Sequence, residues 1–143
     1  MARIKIELPE SFYFSCIIPV RITDLNYGGH VGNDTVLSII HEARMQFFKH
    51  LGYTEMNFAG AGMLMADVAI EFKSELFYGD VVMAFVTAGD ISKIGFELFY
   101  RLEKETDSKK TIVAKAKTGM ICYDYSTKKI VSVPDDAKQK LAG

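Results

Sequence analysis

The sequence predicts an α+β domain in which one curved antiparallel sheet packs around a single long helix. Three observations lead there. After residue 33 the apolar residues recur at helical spacing; from residue 64 onward they alternate with period two; and the strand-like runs are joined by short connections, which imply antiparallel neighbours. A chain of 143 residues fits one domain, 1–143, with enough length to bury a core.

In chain order, residues 11–22 are aromatic and β-branched and read as a first strand. Pro19 cannot donate to a ladder, so this strand belongs at an edge or at a bulge. A polar, glycine-rich loop follows, carrying Asp24, Asn26 and His30 with Gly28, Gly29 and Gly32 among them. Such a loop can turn tightly and approach a ligand without Cβ interference. Asn33 or Asp34 is the expected N-cap of the helix, and Val36, Leu37, Ile39, Ile40, Ala43, Phe47, Phe48 and Leu51 form its broad apolar face. A thin polar seam remains at Thr35, Ser38, Glu42, Gln46 and Lys49. Arg44, Lys49 and His50 suit the C-terminal end of the dipole, and Gly52 supplies the stop.

Residues 53–63 read as a connection. The second strand should run from residue 64 with Val68, Ile70 and Phe72 on one buried face; Tyr78-Gly79-Asp80 turns into a third strand, 81–88. A fourth strand, 92–102, places Ile94, Phe96, Leu98, Tyr100 and Leu102 on one face against Lys93, Glu97 and Arg101, and the charged stretch 103–110 reads as a turn. The fifth strand covers 111–125 and alternates in its first half, with Ile112, Ala114 and Ala116 opposite Val113, Lys115 and Lys117; a short apolar run 130–133 follows, and residues 135–141 suggest a terminal helical turn.

Charge narrows the function. Lysine plus arginine (17) nearly balances aspartate plus glutamate (18), which leaves no basic field to attract nucleic acid or an anionic membrane surface. Cys16 and Cys122 lie in apolar runs without metal-ligand spacing and read as small buried hydrophobes; no metal and no cofactor is expected. The charged N-terminus does not resemble a signal peptide, and no apolar run approaches the ~20 residues of a membrane span. A cytoplasmic location is the expectation.

The run Asp24-Leu25-Asn26-Tyr27-Gly28-Gly29-His30-Val31-Gly32-Asn33, followed by His41-Glu42-Ala43-Arg44, resembles the hotdog-fold thioesterases of the 4-hydroxybenzoyl-CoA and acyl-ACP type. The resemblance covers roughly residues 11–134 and is most specific in the loop-to-helix motif. It implies a sheet wrapped round the helix, pairing of two subunits into a continuous sheet as a dimer or tetramer, and active sites at the interface. It also marks a departure: the carboxylate regarded as catalytic in the 4-hydroxybenzoyl-CoA branch falls at the position of Asn26. An amide can serve neither as base nor as nucleophile at neutral pH.

These readings make the substrate an acyl-CoA or acyl-ACP thioester, with a non-hydrolytic acyl-CoA-binding protein as the alternative. Hydrolysis needs a polarised carbonyl and an activated water. The helix-start amides around Gly32, Asn33 and Asp34 suit the first task, as substrate-binding groups. His30 carries an imidazole that can move a proton, Asn26 can orient the thioester or a water, and Asp24 can fix the loop. Glu42 lies eight residues beyond Asp34, about 12 Å along the helix, and the resemblance implies a role for it as base, because a related hotdog branch places its catalytic glutamate at similar depth and contributes it across the dimer interface. Each has a plainer role available: loop capping for Asn26 and Asp24, a structural histidine at 30, and a solvated seam for Glu42. His41 is expected to pack, and Asp67 is a weaker carboxylate candidate.

Overall fold

The computed structural model describes residues 2–143. Strand β1, Phe14–Pro19, leads through a 3-10 turn, Ile22–Asp24, to the long helix α1, Asn33–Leu51. Strands β2 (Gly62–Phe72), β3 (Val81–Gly89), β4 (Gly95–Thr106), β5 (Lys109–Asp124) and β6 (Lys129–Ile130) follow, and α2 (Asp135–Leu141) closes the chain. All strand pairs are antiparallel, in the order β1-β3-β4-β5-β2, with β6 beside the end of β5. The α+β class with one central helix is as the sequence implied.

Helix α1 lies against the sheet through Val36, Ile39, Ile40, Ala43, Phe47 and Phe48. Phe47 meets Tyr13 and Phe14 on one side; Phe48 meets Phe58 and Phe96 on the other. Truncating either buried ring to alanine should cost about 3–5 kcal/mol. The C-terminal stop is as expected: Gly52 has φ +89°, its N–H reaches the Phe48 and Lys49 carbonyls, and Tyr53 donates to Phe48 at 2.8 Å.

Several boundaries differ from the sequence reading. The N-cap is Gly32, not Asn33 or Asp34, because the Gly32 carbonyl already accepts from Thr35 (3.1 Å) and Val36 (3.0 Å). The stretch 103–110 is no long turn: β4 and β5 run on to meet at Asp107-Ser108, where φ values of 52° and 64° give the tight hairpin geometry that matches strand twist. In β5 the expected alternation slips where the register shifts between Leu102 and Glu103, so Val113 and Ala114 are both buried. Pro19 ends an edge strand, as the missing donor requires.

Strand β2 departs most. It starts at Gly62 and is the opposite edge of the sheet, with a bulge between Met65 and Asp67. Val68 and Phe72, read as facing the core, are exposed in a single chain, as is Met65. Arg44, read as a cation suited to the C-terminal half of the helix dipole, is 4% exposed. Its Nε donates to Glu55 at 3.2 Å and its guanidinium to the Tyr100 hydroxyl at 3.4 Å, which in turn pairs with Thr118 at 2.8 Å. This chain ties α1 and the 53–61 connection to the middle of the sheet.

Candidate active site

Two groups of polar residues lie along α1. The first is the loop at its start. Asn26 Oδ1 accepts from the Gly28 N–H (2.9 Å) and the His30 N–H (3.4 Å), while the Asn26 N–H donates to the His30 carbonyl at 2.8 Å. Asn26 therefore closes residues 26–30 on themselves as an Asx-type turn. Val31 anchors the loop by donating to the Leu76 carbonyl at 2.9 Å. A Cβ placed on Gly28 would lie 3.5 Å from the His30 ring, so imidazole and loop backbone are in near contact. The imidazole itself makes no hydrogen bond among the described residues, and the Asn26 amide nitrogen is likewise unspent.

The helix start joins this cluster. A Cβ on Gly32 would meet Asp34 Oδ1 at 2.7 Å and Asn26 Nδ2 at 3.6 Å, so glycine is required there by close approach rather than by backbone angle. Asp34 folds back over the turn, where its charge suits the helix dipole. No side chain caps this end, and the N–H groups of Asn33 and Asp34 have no partner among the described residues. The structure thus brings together Asn26, His30, Gly32, Asn33 and Asp34. Tyr27, at the tip of the same loop, is wholly exposed.

The second group lies in the groove between β1 and α1. A cavity of about 280 Å³ is lined by residues including Ile17, Arg21, Asp24, Ser38 and Glu42. A wider one of about 780 Å³ continues along the helix past Cys16, Glu42, Met45 and Gln46 to Tyr53. Glu42 borders both, and its carboxylate accepts from Gln46 Nε2 at 2.8 Å. Asp24, 8% exposed, is engaged by the Arg21 backbone N–H (2.8 Å) and guanidinium (3.4 Å). Burial, and then the Glu42 charge, pushes the Cys16 thiol up to about 11, so it is a neutral wall and not a nucleophile.

His41 was expected to pack but stands on the surface, 2.7 Å from Glu55. Asp67 is occupied at the β2 bulge by the Gly119 N–H at 3.1 Å. The role of Arg44 was missed, since a lone arginine in an amphipathic pattern carries no mark of burial. Its signal could only have been Glu55 and Tyr100, distant in sequence. No group of three or more metal-binding side chains occurs among the described residues, and no helix is long and apolar enough to cross a membrane.

An antiparallel sheet wrapped on one helix, with an uncapped helix start beneath a glycine-rich polar loop, defines a hotdog-fold domain of the thioesterase kind. The chain belongs to the thioesterase-like superfamily, whose family model matches residues 20–141. A curated protein named "Putative esterase", from Aquifex aeolicus (strain VF5), is 27% identical over 124 residues, covering 85% of this chain and 92% of that one. The 1,4-dihydroxy-2-naphthoyl-CoA thioesterase from Synechocystis superposes with a TM-score of 0.80 at 18% identity, over 90% of this chain and 95% of that one. The 4-hydroxybenzoyl-CoA thioesterase from Pseudomonas sp. strain CBS-3 does so with 0.79 at 14% identity, over 91% and 99%. Thioester hydrolysis is the general activity that this membership supports.

Proposed function

We propose that the protein hydrolyses an acyl-CoA thioester at a site completed by two copies of the chain. The observation that carries this reading is the place of Glu42, whose carboxylate stands where the two cavities of the β1/α1 groove meet. A carboxylate there can take a proton from water attacking a thioester laid along the groove. The open amides of Asn33 and Asp34 can receive the oxyanion, a task worth about 3–4 kcal/mol for one good donor.

Those amides and Glu42 are about 12 Å apart along one helix, too far to serve the same carbonyl. A second copy removes the conflict by setting its loop beside Glu42. Water then adds to the carbonyl carbon as Glu42 takes its proton; the tetrahedral oxyanion rests on the amides; the C–S bond breaks, and the thiolate is protonated by Glu42 or His30. Asn26 orients the thioester, Asp24 and Gly32 hold the loop and helix start in shape, and CoA is favoured as carrier because the two thioesterases superposed above bear CoA substrates in their names.

The test is a thiol-release assay on a panel of acyl-CoAs, followed by mixing two variants, His30→Ala and Glu42→Gln, each expected to be nearly inactive alone. Subunit exchange should restore about a quarter of wild-type activity, the share expected when only mixed dimers carry one intact site of two. No recovery despite exchange removes the two-copy site. Tight acyl-CoA binding with no thiol released from any substrate would make the protein an acyl-CoA-binding protein instead.

A further inference from the structure

We propose that the wide cavity beyond Glu42 is the subsite for an acyl group whose far end carries a carboxylate, paired there with Lys49. The inference rests on the thioester reading above and names the class of acyl group. The walls are mostly apolar: Phe14, Met45 and Tyr53 line the chamber with the neutral Cys16 thiol among them, and Ser15, Gln46 and Thr54 add uncharged polar groups. Its charges are unevenly placed. Glu42 lies nearer the start of α1, while Lys49 and His50 line the cavity near the end of that helix. The Lys49 ammonium has neither a hydrogen bond nor an ion pair among the described residues, and the His50 ring lies against Phe14 with centroids 5.2 Å apart.

The carbonyl end of α1 would oppose an anion here, but Lys140 offsets it. Its Nζ donates to the Leu51 carbonyl at 3.0 Å and sits 4.6 Å from the centre of the Tyr53 ring that walls the cavity. An anion at this end therefore meets one unspent cation, with a second close behind. A plain hydrocarbon tail would leave Lys49 unpaired beside it.

The spacing sets the length of the acyl group. Glu42 and Lys49 are seven residues apart, close to two turns and about 10 Å. Extended chain covers roughly 3.8 Å per three bonds, so about seven or eight bonds separate the thioester carbon from the distal carboxylate. The mono-CoA thioester of octanedioic acid fits, and octanoyl-CoA is its uncharged counterpart.

The experiment compares kcat/KM for these two substrates in the wild type and in Lys49→Met. The wild type should prefer the carboxylated substrate by about 3- to 10-fold, with the preference shrinking as salt is raised, and Lys49→Met should abolish the preference. Equal rates in the wild type, or a preference that survives in Lys49→Met, overturn the subsite while leaving hydrolysis intact. If neither substrate is cleaved, the same ratio is read as dissociation constants of the two non-hydrolysable thioether analogues, while the acyl-CoA panel decides hydrolysis separately. A wild-type preference lost in Lys49→Met then upholds the subsite, and its absence rejects it.

Discussion

Asn26 uses its side-chain oxygen on two backbone amides and keeps its amide nitrogen free. Asn26→Ala should therefore loosen the loop and raise KM while lowering kcat, a mixed effect that steady-state kinetics would separate from a purely chemical loss. His30 is different in kind, because its imidazole carries no structural bond among the described residues. If it moves a proton during turnover, His30→Ala should lower kcat by about 10²-fold or more with the melting temperature unchanged. An active His30→Ala enzyme would assign the histidine to structure alone. These two positions could be singled out in the sequence because they sit among glycines in a polar loop just before the long helix, in the run that resembles the family's loop-to-helix motif. What the sequence could not supply was their bonding, since Asn26 could equally have faced substrate with its oxygen.

Helix α1 and strand β2 show what element-level pattern reading can do and where it fails. The helical spacing placed α1 correctly, and its stop at Gly52 follows from a left-handed angle that side chains resist. Gly52→Ala should cost about 1 kcal/mol, readable as a lower denaturant midpoint. Period two also identified β2, but periodicity reports only that alternate residues differ, not which face a single chain buries. Arg44 has the larger stake: its guanidinium is enclosed and shared between Glu55 and Tyr100. Arg44→Met should destabilise the fold by about 3 kcal/mol, because Glu55, itself only 20% exposed, loses its buried partner. Unfolding in urea with an unchanged m-value would measure it.

At the scale of the molecule, the exposed edge of β2 presents Met65, Val68 and Phe72 beside unpaired backbone groups, a surface prone to uncontrolled association unless it is covered. Pairing of two β2 edges across a two-fold axis answers both, so light scattering should return a dimer or tetramer mass at micromolar concentration, and Val68→Lys should shift it toward monomer. A wild-type monomer would remove the two-copy site. Stability should also depend on alkaline pH with a defined sign. Burial raises the Cys16 and Cys122 thiols to about 11 from an ordinary 9.0, so the folded chain retains protons that the unfolded chain releases. This contribution is complete below pH 9 and is lost as pH climbs toward 11. Cys16→Ala should flatten the decline in a urea series across that range.

The sequence by itself determined the elements and the region of chemistry: one long helix, antiparallel strands, a glycine-rich polar loop at the helix start, and Glu42 in a polar seam. Each of these is written in neighbours a few residues apart, through period, turn chemistry and charge. Only the tertiary structure decided that Gly32 is the cap, that Arg44 is buried against Tyr100, that β2 is an open edge, and that Glu42 borders two cavities lined from β1. Those facts depend on residues distant in sequence meeting in space, and a local pattern holds no record of which strand becomes an edge or which groove a helix face overlooks.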